Sequence, residues 1–199
     1  MRIFTIILPE TPERTSKIQA HFTERGVNAE YFTGINADVA GLATTHTYEI
    51  DAPGSGFKMG AKPTGIWLSH YMLWNALSLQ TDKRFMILET DATFPEDWKP
   101  RVIQALRDTP PDFDFLFIGS CCCEGRPQTH VKGNVWDVRY PLCAHSYIVS
   151  TKCLPYVIET LRKVWAPIDI QLMFEVFPQL KVYTVLPRIC GQFDTEIPL

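Results

Sequence analysis

Two carboxylates spaced one residue apart, Glu89 and Asp91, follow the run Phe85-Met86-Ile87-Leu88. A run apolar on both faces reads as a central strand of a parallel sheet. Residues just past the carboxyl end of such a strand stand where open α/β sheets bind ligands. Carboxylates at this spacing can share a hard divalent cation that also holds phosphate oxygens. The spacing fits capping and surface charge ahead of the next helix equally well. Arg14, on the first predicted helix, is either a solvated charge or a contact to a nucleotide's phosphates. Lys58 and Lys62 lie in a long loop, from which they can screen a diphosphate. His70 has Ile66, Trp67, Leu73 and Trp74 as helical neighbours and reads as a buried histidine bonded to backbone. His145 sits in an apolar stretch and reads as structural. Asp169 opens a short helix, where N-capping is the plain expectation.

The elements that must position these residues follow from pattern. Residues 2–8 predict a buried strand stopped by Pro9. Thr11 and Pro12 start an amphipathic helix that ends at Gly26, a residue suited to the left-handed turn after a helix. Val27 to Thr33 predicts a second strand, and strand–helix–strand of these lengths implies a parallel pair. Residues 40–63 form a long, glycine- and proline-rich loop of the kind used as a lid. Thr64 is expected to cap a helix running to about Gln80. Arg84 to Glu89 is a strand, Pro95 to about Asp108 a helix with Pro100 near its first turn, and Asp114 to Gly119 a strand. Segment 120–142 reads as loop with a short strand near Val135 to Val138. Tyr147 to Ser150 is a strand, Leu154 to Val164 and Ile168 to Val176 are helices, and Lys181 to Leu186 is the last strand.

Composition sets the outer bounds. The chain has 199 residues, 46% of them apolar and 21% charged, enough to bury about 70% of its unfolded surface without staples. Disorder, collagen-like repeats and coiled coil are excluded. A net charge of −3 argues against a strongly basic nucleic-acid binder. No apolar run reaches membrane-spanning length or resembles a signal segment, so a soluble, cytoplasmic protein is expected. Six cysteines stand at 121, 122, 123, 143, 153 and 190 without a C-x-x-C pair, and are read as reduced, small apolar residues.

Several segments together resemble glycosyltransferase family 25, the lipooligosaccharide and collagen galactosyltransferase family. They are Ile6-Ile7-Leu8 followed by Pro12-Glu13-Arg14, Leu68-Ser69-His70 with Trp74, Ile87-Leu88-Glu89-Thr90-Asp91 and Phe94-Pro95-Glu96-Asp97. Further on come Asp112 to Gly119, Ala144 to Ser150, and Pro167-Ile168-Asp169. The order spans nearly the whole chain. The resemblance implies a single domain over 1–199 with an α/β, GT-A-like (Rossmann-like), mostly parallel sheet flanked by helices. Two departures stand out: Thr90 replaces the middle acid of Glu-Asp-Asp, and Pro63 stands near the place of a usual Glu.

The resemblance also implies an activity, transfer of a hexose from a nucleotide-diphosphate sugar, UDP-linked above all, to an acceptor hydroxyl with inversion. Glu89 and Asp91 would hold Mn²⁺ or Mg²⁺. Arg14, Lys62, Ser69, His70 and Thr90 would contact or wall the donor. Asp169 would be the general base or acceptor anchor, ahead of Asp194 and Glu196. A saccharide is the foremost acceptor, before a protein hydroxyl or a modified nucleobase hydroxyl. The alternatives are a non-catalytic nucleotide or sugar binder, for which Thr90 speaks, and a nucleotide-sugar hydrolase. On an extended segment Glu89 and Asp91 would share one side and Thr90 face the other.

Overall fold

The computed structural model describes residues 1–8, 12–36, 60–121, 128–138 and 141–193, and the backbone of 47–49 and 56–58. In chain order its elements are β1 (Arg2–Ile7), α1 (Pro12–Arg25), β2 (Glu30–Thr33), β3 (Thr47–Glu49), β4 (Gly56–Lys58), α2 (Ala61–Ser78) and β5 (Arg84–Leu88). These are followed by β6 (Ala92–Thr93), α3 (Trp98–Asp108), β7 (Phe115–Cys121), β8 (Gln128–Lys132), β9 (Val135–Val138) and β10 (Leu142–Ser150). The chain then forms α4 (Leu154–Thr160), α5 (Ile168–Gln171), β11 (Val182–Val185) and β12 (Gly191–Gln192).

Eight strands form one sheet in the order β2-β1-β5-β10-β7-β11-β9-β8. β2, β1 and β5 are mutually parallel, and β11 is parallel to β7. β10 runs in reverse between β5 and β7. The two-sided apolar run in β5 has a direct counterpart in packing. Phe85 and Ile87 join one core with Trp67, Leu73 and Trp74 of α2. Met86 and Leu88 join the other with Ile18 and Phe22 of α1. β7 alternates likewise, Phe115 and Phe117 facing α2's side and Leu116 and Ile118 facing α1's. The result is the expected α/β sandwich of helix, sheet and helix.

Helix α1 ends as expected: Gly26 has φ +62, and the Val27 N–H returns to the Phe22 carbonyl at 2.8 Å. Pro100 is the third residue of α3, where its missing N–H costs nothing.

Other boundaries differ. Helix α2 begins at Ala61 with Gly60 as its N-cap, so Thr64 lies inside it and donates its hydroxyl to the Gly60 carbonyl. Part of the expected lid loop, 47–49 with 56–58, is a hairpin. The presumed loop 120–142 contains the β8–β9 hairpin, and β10 starts five residues before Tyr147. The cysteines are not all reduced. β7 and β10 pair Cys121 beside Leu142, which brings Cys121 and Cys143 to a Cα–Cα distance of 5.9 Å and a disulfide, within ordinary bridging reach. Cys153 and Cys190 are free and buried, and burial pushes both thiols up to about 12. They are poor nucleophiles. Cys122 and Cys123 lie outside the described residues.

Candidate active site

The chain leaves β1 through α1 to β2 on one side, then crosses by α2 to β5 on the other side of β1. The two connections pack on opposite faces of the sheet. The carboxyl ends of β1 and β5 therefore flank a topological switch point, the crevice where doubly wound sheets take ligands. A cleft of about 460 Å³ opens there, lined by Leu8 after β1, Asn36 after β2, Lys62 and Ser69 of α2, and Glu89, Thr90 and Asp91 after β5.

Residues 89–92 form a turn, not an extended segment: the Ala92 N–H donates to the Glu89 carbonyl at 3.2 Å. The alternation expected for an extended segment is thereby lost, and Glu89, Thr90 and Asp91 all line the cleft. The Glu89 N–H donates to the His145 carbonyl at 2.9 Å, which carries the β5–β10 pairing one residue past the strand. β12 pairs with β6. The Phe193 N–H donates to the Asp91 carbonyl at 2.9 Å, and Gln192 Nε2 donates to Asp91 Oδ2 at 3.1 Å. The C-terminal strand thus grips Asp91 from both backbone and side chain.

The two acids are electrostatically unlike. His70 Nε2 lies 3.0 Å from Glu89 Oε1. Burial alone pushes the Glu89 carboxyl up, but the His70 hydrogen bond, with the electrostatic pull of His70, His145 and Arg14, outweighs it and holds it below its ordinary value. Asp91 is the opposite case. Burial and the Glu89 charge raise it, against Arg14 and Gln192. Its Oδ2 meets Arg14 at 3.6 Å, whereas its buried Oδ1 has no hydrogen-bond partner among the described residues. A buried oxygen left bare beside a second carboxylate is a hard-cation donor, so the residues present fit a divalent ion completed by ligand oxygens. Among the described residues no group of three or more acidic, His or Cys side chains could hold a metal alone.

Other residues singled out by the sequence take definite places. Arg14 and Lys62 line the cleft. Ser69 also lines it; its hydroxyl donates to the Gly65 carbonyl at 2.6 Å and accepts the Ile35 N–H at 2.8 Å, fixing the chain after β2. His70 is fully buried and bonds to side chains, not to backbone as expected. His145 is buried, and its pKa is lowered by burial. The side chain of Lys58, and Asp194 and Glu196, lie outside the described residues. Gln192 and Asn36 line the cleft without having been anticipated. An isolated Gln in a two-residue strand carries no sequence signal.

Asp169 is not among the cleft-lining residues. Its Oδ2 accepts the Cys143 N–H at 3.0 Å and its Oδ1 the Ile170 N–H at 2.9 Å. The helix N-cap is Pro167, so Asp169 does not cap. It anchors Cys143, which sits at φ 68, a conformation non-glycine residues rarely hold. Asp169→Asn keeps one acceptor, so the expected result is a lower melting temperature with turnover within about tenfold. A turnover loss of roughly 10²–10⁴ at unchanged melting temperature would instead make it the base.

The grip on Asp91 extends to α1. The Phe193 ring is met edge-on by His21 at 5.3 Å and lies under Lys17 Nζ at 4.5 Å. His21 Nε2 accepts the Phe94 N–H at 2.9 Å, a bond only the unprotonated nitrogen can make. Burial and then the Arg25 charge lower the His21 pKa from 6.5, with Glu24 opposing. The folded value lies below the unfolded one, so this stability is present above about pH 6.5 and is lost as pH falls through the folded value. Melting temperature is therefore expected to drop on acidification from about pH 7.5 to about pH 5. His21→Gln should flatten part of that drop; an unchanged slope removes His21 from the account.

The fold is a doubly wound α/β domain with an acidic, arginine-bearing cleft at its switch point. The chain belongs to glycosyltransferase family 25: the model of that family, described as glycosyltransferase family 25 (LPS biosynthesis protein), matches residues 1–172. A glycosyltransferase 25 family member of Drosophila melanogaster is 26% identical over 161 residues, covering 75% of this chain and 26% of that protein. The Mus musculus inactive glycosyltransferase 25 family member 3 is 21% identical over 158 residues, covering 70% of this chain and 27% of that protein. The chain thus spans about a quarter of the length of these curated relatives. A solved glycosyltransferase involved in glycosylation of the major capsid of PBCV-1 shares the fold, with TM-score 0.55 at 11% identity, covering 98% of this chain and 95% of that one. No helix among the described residues is long and apolar enough to cross a membrane.

Proposed function

We propose that this cleft binds a nucleotide-diphosphate sugar, UDP-linked, and transfers its hexose to an acceptor hydroxyl, a saccharide before a protein or modified nucleobase hydroxyl, with inversion. The observation that carries the reading is the bare, buried Asp91 Oδ1 at the carboxyl end of β5, with Arg14 beside it. Glu89 and Asp91 are the residues to hold Mn²⁺ or Mg²⁺, hard ions suited to carboxylate and phosphate oxygens. Held there, such an ion would supply positive charge against a diphosphate leaving group.

The protein's own groups have separable tasks. Arg14 and Lys62 place positive charge against the diphosphate. Thr90 offers a neutral hydroxyl to the donor's ribose or sugar. Ser69 and His70 shape the wall of the cleft. The acceptor hydroxyl attacks the anomeric carbon as the bond to the diphosphate breaks, and its proton passes to a carboxylate on the acceptor side. Ile6, Ile35 and Ile66 give the cleft an apolar lining against which a donor could pack.

Binding is tested by melting. UDP with Mn²⁺ at a hundredfold over Kd should add about 2.7 kcal/mol of stability, or roughly 5–10 °C. A chelator should remove the shift. No shift with any nucleoside diphosphate, or one indifferent to chelator, sinks the metal-assisted reading. The alternative, a domain that binds without transferring, gains weight from Thr90 and from the inactive relatives, and is separated by donor turnover.

A further inference from the structure

Behind Glu89 lies a chain of buried polar groups that the proposed reaction does not use. Trp74 Nε1 donates to the Tyr147 hydroxyl at 2.9 Å. That hydroxyl lies 2.8 Å from His70 Nδ1, and His70 Nε2 lies 3.0 Å from Glu89 Oε1. Trp74, Tyr147 and His70 are each fully buried, so water cannot complete their hydrogen bonding. The set comes from three elements, α2, β10 and the turn after β5, and it leads from the core of the fold to the floor of the cleft.

The donors and acceptors can be counted. An indole N–H only donates, so it occupies a lone pair of the Tyr147 oxygen. The phenol proton then has one neighbour able to accept it, the bare Nδ1 of His70 among the described residues. Were Nδ1 to carry a proton instead, the Tyr147 oxygen would receive two donors and its own proton would be orphaned in the core, the full penalty of a buried unsatisfied group. With Nδ1 bare, the imidazole proton sits on Nε2 and points at Glu89. Burial also holds the Tyr147 phenol well above its ordinary value, so it keeps the proton it must donate.

We infer that Tyr147, held by Trp74, is a positioning residue that locks His70 in the Nε2–H tautomer, and that this lock fixes Glu89 Oε1 so that its other oxygen is presented to the cleft. The His70 hydrogen bond engages Oε1, and Glu89 lines the cleft. Without the Tyr147 donor, Nδ1 would be left bare in the core and only Glu89 would orient the ring, so the imidazole could turn and release Oε1. The consequence for ligand rests on the reading of Glu89 and Asp91 as the metal-diphosphate site; the tautomer itself does not.

The full chain, uniformly ¹⁵N-labelled and without ligand, gives the first measurement. Two-bond ¹H–¹⁵N correlation separates the tautomers of its five histidines, and the pattern lost in His70→Gln assigns His70. The expected result is an Nε2–H pattern in the natural chain with Nδ1 shifted by the hydrogen bond it accepts, and a return of Nδ1 toward the unbonded position in Tyr147→Phe. An Nδ1–H pattern in the natural chain, or no change in Tyr147→Phe, overturns the inference, and the natural chain decides even if the variant fails to fold. Calorimetry with UDP and Mn²⁺ gives the second. Tyr147→Phe should weaken binding by about 10–100-fold, the usual effect of removing a group that orients a metal ligand. His70→Gln in the Tyr147→Phe background should restore part of it, because an amide N–H facing Glu89 needs no tautomer. Equal binding by Tyr147→Phe and the natural chain overturns the positioning role. No binding by the natural chain overturns the metal-diphosphate reading and leaves the tautomer result to stand or fall separately.

Discussion

Asp91→Asn is expected to abolish metal-dependent donor turnover, a loss of at least about 10²-fold, while the protein melts at the same temperature or higher. The two effects share one cause. Burial and the neighbouring Glu89 charge raise the Asp91 pKa, so the folded carboxyl binds its proton more readily than the unfolded one. Stability then falls as pH rises through the folded value, and at neutral pH the ionised carboxylate opposes folding. Asparagine removes that charge, keeps an oxygen for Gln192, and takes away the anionic donor that Oδ1 provides. Sites that trade stability for activity behave in this way.

Thr90→Asp is the matched control. It adds a third carboxylate to the same turn without removing either outer one, so turnover should stay within about tenfold while like-charge repulsion lowers the melting temperature. Steady-state donor consumption at fixed Mn²⁺, with thermal melts on the same samples, reads both. Full turnover by Asp91→Asn removes it from the site. If the natural chain consumes no donor and Thr90→Asp does, the domain is a binder and the transferase reading is wrong.

The site's address was legible because it depends on local pattern. Apolar residues on both faces of β5 can only be a strand covered twice, and the acids that end it therefore stand at a carboxyl edge. Gly26 marked the end of α1 for a similarly local reason: the backbone there needs φ +62. What stayed hidden is non-local. His70 and Tyr147 are 77 positions apart and meet only because β10 slots antiparallel beside β5. Cys121 and Cys143 meet because β10 begins at Leu142, where His145 and Ser146 interrupt the apolar run and the register with β7 is irregular. Of the β8–β9 hairpin, β9 was anticipated and only β8 was missed, for a related reason. β8 is the edge strand, with Gln128, Thr129 and His130 exposed, so its composition resembles a loop. Thr90 shows the limit of assuming local geometry: a single turn hydrogen bond replaced alternation.

Gly119→Ala should cost about 3 kcal/mol, the upper end of the usual overpacking range, and lower the melting temperature by roughly 6–12 °C for a chain of this size. Gly119 lies in β7, and a Cβ built there would stand 2.3 Å from His145 Nε2, 2.8 Å from the Cys190 carbonyl oxygen and 3.0 Å from Cys190 Cβ. One of those atoms is backbone, so no rotamer change relieves all three. The segment cannot simply lift away, because the N–H groups of Ile189 and Cys190 both donate to the Ile118 carbonyl, at 2.8 and 2.9 Å. Displacement therefore passes along both neighbours to the cleft: through His145, whose carbonyl holds the Glu89 N–H, and through Cys190 to Gln192 and Asp91. Nucleotide affinity should fall with stability, even though Gly119 does not line the cleft. Gly60→Ala provides the contrast, since nothing among the described residues lies within 4 Å of a Cβ there and its φ of −78 suits any residue; its effect should stay within about 0.5 kcal/mol. Equal melting temperatures for the two variants would mean that β7 and the 189–190 segment are not packed as closely as the distances require.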